Sequence, residues 1–302
     1  MIATTERGKV IGGSDIAAVM GLSRWKSPLK LWAEQTGKIE DSLSDFEAAE
    51  IGVELEDFVA RKFERKTGLK VRRQPQEYKH RDHPYMVGHV DRLVLDGEGV
   101  LECKPTSGWN ARQWEGDEIP VEFTLQTMWY LGLTGRKKGY IAVLIGGQRF
   151  LWKEIAFDRE LFDRMVAAAR HFMEEFVLKD QAPMAGPGDQ ETVGLVYPER
   201  GGVADLTPEL EAEVEKLLDE RAVGKGTLDE TERKVDAAEA RVKQILGESS
   251  SAETGRWSVS WRSQARKVAD SAKMKAAGVF EEYSRTLESR VLRATERKGE
   301  PA

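Results

Sequence analysis

Gly88-His89-Val90-Asp91 and, after a glycine-rich turn, Glu102-Cys103-Lys104 are the segments that decide the predicted fold. Residues 85–95 alternate in polarity and are rich in Val and Leu, which is typical of a β-strand. Residues 96–99 read Asp-Gly-Glu-Gly, a turn sequence, and residues 100–104 return as a short, mostly apolar strand. The sequence therefore predicts a β-hairpin that carries acidic side chains on both strands.

The alternation of side chains along a strand places Glu102 and Lys104 on one face of the hairpin and Leu101 and Cys103 on the other. Two carboxylates and an ammonium group at this spacing can hold Mg²⁺ beside a phosphate. The alternative is an edge hairpin with a surface ion pair, which would contribute little to stability. The hairpin alone leaves both interpretations open.

The composition bounds the class of protein. The chain has 302 residues, enough for one large domain or two, with 40% hydrophobic and 32% charged residues, as in soluble globular proteins. No apolar stretch has the length of a membrane span, and the first residues lack the apolar core of a signal peptide. The single cysteine, Cys103, excludes internal disulfides and cysteine-held zinc or iron–sulfur sites within one chain. We expect no membrane association and a cytoplasmic location.

The net charge of −6 does not by itself indicate nucleic-acid binding. Local clusters rather than net charge make phosphate contacts, and basic residues do cluster in residues 61–73 and 136–138. Each cluster taken singly is better explained as the solvated face of a helix or loop.

Residues 1–180 carry mixed helix and strand signals and predict the first domain. Ser14-Asp15 precedes a short helix that stops at Gly21, and Ser27 caps a helix that begins at Pro28 and ends at Gly37. The other elements predicted in this domain are helices over residues 46–67, 121–133 and 161–178 and strands over residues 140–144 and 149–155.

The remainder of the chain predicts a linker over residues 181–205 and a mainly helical extension over residues 206–302. The linker is rich in Pro and Gly, and two apolar helical stripes follow it on either side of Gly224-Lys225-Gly226. This pattern predicts an antiparallel helical hairpin, then a strand over 257–261 and a helix over 271–296. From Gly255 onward eleven Lys or Arg stand against six Asp or Glu, which suits either docking on the acidic hairpin or contact with DNA.

Six motifs in order resemble those of one family. They are Ile11-Gly12-Gly13-Ser14-Asp15, Trp25-Lys26-Ser27-Pro28, Gly52-Val53-Glu54-Leu55-Glu56, His83-Pro84-Tyr85-Met86-Val87-Gly88-His89-Val90-Asp91, Leu101-Glu102-Cys103-Lys104 and Gln126-Thr127-Met128-Trp129-Tyr130. Together they resemble the YqaJ-type viral recombinases, relatives of phage lambda exonuclease. The resemblance covers roughly residues 7–180. It implies an α/β restriction-endonuclease-like core, with a mixed central sheet flanked by helices.

The resemblance also implies an activity. It predicts a processive, Mg²⁺-dependent 5′-to-3′ exonuclease on double-stranded DNA ends, with Mn²⁺ as a substitute for Mg²⁺. Such an enzyme releases 5′-mononucleotides and leaves a 3′ single strand for a single-strand annealing protein. A phage or prophage origin in a bacterial host and a ring-shaped homotrimer are carried over from the family as expectations.

The family pattern assigns roles to residues of this chain. Asp91 and Glu102 would bind metal, and the Cys103 backbone carbonyl would be a further ligand, since Mg²⁺ prefers oxygen to thiol. Lys104 would orient water or offset charge on the phosphorane; a lysine beside two carboxylates should stay protonated, which favours the electrostatic role. Gln126 would contact the water or phosphate of the site, although packing is the alternative for this residue.

Three further residues complete the predicted site. Glu56 matches the acidic helical ligand of the family, while Glu54 and Asp57 are near enough for the assignment to slip. Ser14 either caps a helix or, with Arg7, binds the terminal 5′-phosphate as the family does at this position.

Two tryptophans and two competing functions remain open at this stage. Trp25 and Trp114 are either core aromatics or stacking surfaces for bases, with the core as the default. The alternatives to an exonuclease are an endonuclease with the same core and a non-catalytic DNA-end-binding protein.

Overall fold

The computed structural model of the chain describes residues 9–40, 46–95, 97, 99–285 and 292. The structure divides into two compact units, Met1–Pro198 and Glu199–Ala302. No helix within the described ranges is long and apolar enough to cross a membrane.

The first unit begins with three helices, which five strands, a further helix, two strands and two last helices follow along the described part of the chain. Its helices are α1 (Ile16–Val19), α2 (Pro28–Gln35), α3 (Phe46–Thr67), α4 (Val121–Thr134), α5 (Arg159–His171) and α6 (Gln190–Val196). Its strands are β1 (Val71–Arg73), β2 (Glu77–Lys79), β3 (Val87–His89), β4 (Arg92–Val94), β5 (Gly99–Thr106), β6 (Lys138–Ile145) and β7 (Arg149–Ala156). A 3₁₀-helix (Gly108–Trp114) follows β5, and a π-helical segment (Phe172–Val177) continues α5.

The central sheet is mixed, with the strand order β1-β4-β5-β6-β7. Strands β5 and β6 are parallel along all eight residues of each, from Gly99 opposite Lys138 to Thr106 opposite Ile145. Parallel neighbours need a long crossover, and the 3₁₀-helix and α4 supply it. The other neighbouring pairs are antiparallel. The predicted mixed sheet flanked by helices is confirmed.

The alternation of side chains on β5 explains how helices cover both faces of the sheet. Leu101 and Cys103 face one side, where they pack with Val59 and Phe63 of α3. Val100 faces the other side and joins the larger core that includes α1, α2, α4 and α5. Glu102 and Lys104 lie on this second face, as the alternation predicts.

The predicted first hairpin strand is wrong in one respect. Residues 85–95 form two short strands, because β3 pairs with β2 in a separate two-stranded sheet whereas β4 pairs with β1 and β5. Two different sets of hydrogen-bonding partners require the chain to change direction between them. Asp91 lies at this break, between β3 and β4.

Helix α3 has the predicted bounds, and its buried stripe shows which acidic residues face inward. Val59 and Phe63 are fully buried, whereas Phe58 of the same helix is exposed. Glu54 is exposed while Glu56 is largely covered. The helix therefore presents Glu56 rather than Glu54 to the interior.

The segment predicted as a linker is partly ordered against the first unit. Helix α6 lies within it and packs near α2. Asp189, which is buried, accepts a hydrogen bond from the Ser27 hydroxyl at 2.5 Å and another from the Gly186 amide at 2.8 Å. A buried carboxylate with two donors anchors this segment, which composition alone did not reveal.

The second unit corrects the predicted helical hairpin. A single helix, α7 (Pro208–Leu246), replaces the two helices, with Thr207 as its N-cap. Gly224 and Gly226 keep negative φ values, so neither residue forms the left-handed turn that a hairpin needs. Two glycines weaken a helix by roughly 2 kcal/mol, which good helix formers on either side can offset.

Short elements follow α7. Strands β8 (Ser251–Glu253) and β9 (Ser258–Ser260) form a hairpin, in agreement with the strand predicted there. The helix predicted over residues 271–296 is wrong over most of its described part, because α8 spans only Ser271–Ala276. Its end, except for Leu292, lies outside the described residues from 286 onward.

Candidate active site

Glu102 is the centre of the candidate site. It lies on β5 and is almost fully buried. One carboxylate oxygen, Oε1, accepts hydrogen bonds from Lys104 Nζ at 2.7 Å and from Gln126 Nε2 at 2.8 Å. The other oxygen, Oε2, is buried without a hydrogen-bond partner among the described residues. A buried carboxylate oxygen without a partner is unfavourable, so this atom is available to a ligand.

Asp91 faces the same site from the break between β3 and β4. Its Oδ2 accepts a hydrogen bond of 2.7 Å from the backbone amide of Cys103, which ties it to the strand that carries Glu102. Burial, reinforced by repulsion from Glu102, raises the pKa of Asp91 to about 7. The Asp91 and Glu102 carboxyl groups therefore lie close enough to repel each other, an arrangement that a positive charge would stabilise.

The charges of Glu102 and Lys104 follow from the same geometry. Burial raises the pKa of Glu102, although the Lys104 ammonium opposes this shift. Burial also disfavours the charged form of Lys104, but the adjoining Glu102 carboxylate outweighs it and raises the pKa of the lysine. Lys104 is therefore protonated at neutral pH and acts as a fixed positive charge.

Arg92 is a residue that sequence reasoning missed. Its guanidinium is buried and contacts Glu56 at 3.4 Å, Asp57 at 2.5 Å and the Asp91 carbonyl at 2.6 Å. Burial and then repulsion by Asp91 raise the pKa of Glu56, while Arg92 opposes this shift. Arg92 thus joins α3 to the strand break. The only sequence signal was an arginine directly after Asp91 in an otherwise apolar strand.

The predicted metal ligands fit a magnesium site in chemistry. Oxygen donors are what Mg²⁺ prefers, and Asp91, Glu102 and the Cys103 carbonyl are oxygen donors. Within the described ranges, no three Asp, Glu, His or Cys side chains converge closely enough to enclose a cation by themselves. Mg²⁺ is commonly held by one or two carboxylates together with water and substrate phosphate, so a pair of carboxylates with a partnerless oxygen is a sufficient protein contribution.

Gln126 and Tyr130 connect the carboxylates to the chain near Ser14. Both residues lie on α4, and Gln126 Nε2 donates to the Tyr130 hydroxyl at 3.1 Å as well as to Glu102. Gly13 lies against the Tyr130 ring so closely that an added Cβ would be 2.5 Å from it. The loop before α1 is therefore packed against the same helix as the site.

The predicted phosphate pocket is only partly described. Ser14 is exposed, and Asp15 rather than Ser14 is the N-cap residue of α1. The Asp15 carboxylate accepts a 3.0 Å hydrogen bond from the Gly12 amide. Ser14 is thus available to a ligand and is not engaged as a cap. Arg7 lies outside the described residues.

The two tryptophans have different environments. Trp114 is buried and stacks on Phe123 with a centroid distance of 5.2 Å, as expected of a core residue. Trp25 is 59% exposed, lies 6.0 Å from Phe123 and carries the Arg24 guanidinium 4.6 Å from its ring centre. Lys104 Nζ lies 5.3 Å from the same Phe123 ring. Phe123 therefore links an exposed aromatic surface to the lysine of the site.

Comparison with known proteins gives this site a family context. Residues 4–137 match the YqaJ-like viral recombinase domain. The chain is 44% identical over 180 residues to protein YqaJ of Bacillus subtilis strain 168, an alignment that covers 59% of this chain and 56% of that protein. The chain therefore spans little more than half the length of this relative.

Solved structures share the architecture. An alkaline exonuclease from Laribacter hongkongensis is similar with a TM-score of 0.50 at 20% identity, over 57% of this chain and 90% of that chain. The same exonuclease in complex with dAMP gives a TM-score of 0.48 at 22% identity, over 57% and 89% of the two chains. The first of these similarities, together with the mixed sheet flanked by helices, supports the predicted restriction-endonuclease-like fold.

The family model matches the part of the chain that holds the six sequence motifs. The matched segment includes the acidic helix α3, the break at Asp91, strand β5 and the whole of helix α4. The chain is therefore similar to the YqaJ-like viral recombinase domain over residues 4–137.

Proposed function

We propose that the N-terminal unit is a divalent-cation-dependent nuclease that degrades double-stranded DNA from its ends in the 5′-to-3′ direction. The observation that carries the proposal is the buried Glu102, whose Oε2 has no partner in the described structure while Lys104 and Gln126 hold its other oxygen. The similarity of residues 4–137 to the YqaJ-like viral recombinase domain and the fold shared with an alkaline exonuclease support the proposal.

The residues that would hold the cation are Asp91 and Glu102, with the Cys103 carbonyl as a further donor and Glu56 close by on α3. Bound Mg²⁺, or Mn²⁺ in its place, supplies an activated water and neutralises negative charge on the phosphate. The Cys103 thiol takes no part, because burial raises its pKa far above the ordinary value and keeps it protonated.

Lys104 and Gln126 act by position and charge. The Lys104 ammonium lies beside the carboxylates and would offset the negative charge that develops on the phosphorane. Its raised pKa makes it a poor general base at neutral pH. The Gln126 amide fixes the rotation of the Glu102 carboxylate, so that Oε2 stays directed away from the two hydrogen-bond donors.

DNA would lie across the surface next to Lys104. The exposed face of Trp25, with Arg24 against it, can stack on a base and contact a phosphate. Ser14, which is not used as a helix cap, would contribute to binding of the terminal 5′-phosphate together with Arg7. Repeated removal of 5′-mononucleotides would leave a 3′ single strand for a single-strand annealing protein.

We place this reaction in the cytoplasm of a bacterial host, on phage or prophage DNA, and expect the homotrimeric ring of the resembling family. The decisive test is release of nucleotides from linear duplex DNA with Mg²⁺, compared with a covalently closed plasmid. We expect rapid release from the linear DNA and none from the closed circle. Equal cleavage of both substrates would identify an endonuclease, and cleavage of neither would contradict the nuclease proposal and leave the non-catalytic DNA-end-binding protein as the alternative.

The direction of degradation is tested on the ends themselves. A duplex with a 5′-phosphate should be degraded faster than one with a 5′-hydroxyl, and Ser14→Ala should narrow the difference. Equal rates on the two ends in the wild type would remove the phosphate pocket from the proposal but leave the nuclease intact.

A further inference from the structure

Helix α7 has an apolar surface that the second unit itself does not cover. It spans 39 residues, about 58 Å, and none of its residues is buried. Leu217, Leu228 and Val235 are each more than half exposed. Long helices in water gain most of their stability from packing of an amphipathic face, and Gly224 and Gly226 weaken this one further. A partner for the exposed face is therefore expected.

The exposed side chains follow a seven-residue repeat. Steps of four and three residues connect Leu210, Val214, Leu217, Arg221, Gly224, Leu228, Thr231, Val235, Ala238, Val242 and Ile245. All of these residues except Arg221, Gly224 and Thr231 are apolar, and together the row forms a seam along the helix. A mean spacing of 3.5 residues keeps such a seam facing a second helix only when the two helices supercoil around each other. The repeat thus specifies a helix as the partner, rather than a flat surface.

We infer that α7 forms an antiparallel, two-stranded coiled coil with α7 of a second copy of this chain. A two-fold axis near the middle of the helix would make the seam self-complementary, because each contact then occurs twice. This inference concerns the second unit alone and does not depend on the nuclease proposal.

The residues that interrupt the seam select the antiparallel direction. In a parallel pair, Arg221 would meet Arg221 of the other copy and Gly224 would meet Gly224, which gives one repulsive layer and one cavity. In an antiparallel pair, Arg221 lies opposite Thr231, and Gly224 lies opposite Leu228. The large side chain fills the space beside the glycine, and the arginine meets a neutral polar group.

The charges that flank the seam are complementary in this direction. The antiparallel register places Glu213 opposite Arg241, Glu220 opposite Lys234, and Lys225 opposite Glu232. Each of these pairs occurs twice by symmetry, and the register brings no like charges together at the flanking positions.

Existing ion pairs on α7 do not oppose this association. Lys234 contacts Glu230 at 2.6 Å and Lys216 contacts Glu220 at 3.9 Å, both along the same helix and exposed to solvent. Pairs of this type contribute only a few tenths of a kcal/mol, so exchange for contacts between helices is easy.

The first test compares two matched substitutions in the full chain. Ala238 lies on the seam and Ala240 lies on the opposite, outward face, so Ala238→Glu and Ala240→Glu add the same side chain to the same turn. Light scattering should show that Ala238→Glu lowers the mass of the wild-type assembly by about a factor of two. Ala240→Glu should keep the wild-type mass. Equal masses for wild type and both variants would overturn the inference.

A charge exchange tests the register without disturbance of the seam. Glu220→Lys alone and Lys234→Glu alone should each weaken association, and the double variant should restore it, because the opposite charges meet again with reversed sign. Failure of the double variant to recover the wild-type mass would contradict the proposed pairing.

Disulfide cross-linking distinguishes the antiparallel pair from a parallel pair and from a hairpin within one chain. Chains with Leu217→Cys mixed with chains with Val235→Cys should form disulfide-linked dimers on oxidation, whereas Leu217→Cys alone should not; the native Cys103 is buried. Dimers of Leu217→Cys alone would indicate a parallel pair. A chain with both substitutions that cross-links only within itself would indicate that α7 folds back as a hairpin, and either result would overturn the inference.

Discussion

The two units of this chain use burial in opposite ways. The N-terminal unit buries charged groups, with Glu102 and Arg92 both almost fully covered, whereas helix α7 of the C-terminal unit leaves Leu228 and Val235 exposed. Each arrangement is unfavourable for an isolated unit: a buried carboxylate loses hydration, and an exposed apolar side chain keeps water ordered around it. The difference suggests that the first unit keeps its charges for a bound ligand and the second keeps its apolar seam for another helix.

The largest expected effect tests whether the buried charge of the first unit serves chemistry. Glu102→Gln keeps the shape and the contacts of Oε1 but removes the negative charge, so nucleotide release from linear duplex should fall by about 10³-fold. The measurement is release of acid-soluble nucleotides with Mg²⁺. Glu154→Gln is the control, since Glu154 lies on β7 in an exposed ion pair with Lys138. Equal activity of Glu102→Gln and the control would show that the buried charge of the first unit does not serve the reaction.

A substitution of Arg92 tests whether a buried charge in the same unit also stabilises the fold. Arg92→Met would leave Glu56 without its counter-charge, and we expect the free energy of unfolding to fall by about 2–4 kcal/mol. The control, Arg72→Met on exposed β1, should change it by less than about 0.5 kcal/mol. Urea unfolding measures both. If the two variants are equally stable, Arg92 does not join α3 to the sheet.

Arg92 is expected to stabilise the folded protein, whereas the buried Asp91 is expected to destabilise it. Its pKa is about 7 in the folded protein and ordinarily 3.8, so the folded state retains a proton that the unfolded state releases as the pH rises through this window. Burial of Asp91 therefore lowers stability progressively from pH 4 to pH 7, and the full loss persists above pH 7.

Asp91→Asn removes this loss. Without divalent cations, we expect it to raise the free energy of unfolding by about 1–3 kcal/mol at pH 8, with a gain that shrinks towards pH 4. The exposed Asp163 provides the control Asp163→Asn, which should show no such pH dependence. A gain that is the same at pH 5 and pH 8 would exclude the buried charge as its cause.

The smallest expected effect concerns the C-terminal unit. Gly226 lies in the middle of α7 with no atoms within 4 Å of an added Cβ, so Gly226→Ala should stabilise the helix by about 0.5–1 kcal/mol. Gly247 after the helix has φ +57°, and Gly247→Ala should therefore destabilise it. Thermal unfolding followed by circular dichroism at 222 nm measures both. A loss of helix in Gly226→Ala would argue for a break in α7 at this residue.

Features that depend on neighbours along the chain could be predicted from the sequence. The bounds of α3, the cap of α2 by Ser27 and the shared face of Glu102 and Lys104 follow from local periodicity and capping. The same local rules failed for residues 85–95, since the partners of β3 and β4 lie in different sheets. They failed again at Gly224, because glycine is common in turns but lies here inside the single helix α7.

The sequence by itself determined the chemistry available to this protein: two carboxylates, a lysine and an amide, placed on strands and a helix by period and order. Only the tertiary structure decided how they meet. It joined Asp91 to the Cys103 amide, set Gln126 of α4 against Glu102 of β5, and placed Arg92 between the acidic helix and the sheet. The physical reason is that hydrogen bonds and desolvation depend on distance in space, and the packing of α3 and α4 on opposite faces of one sheet sets those distances.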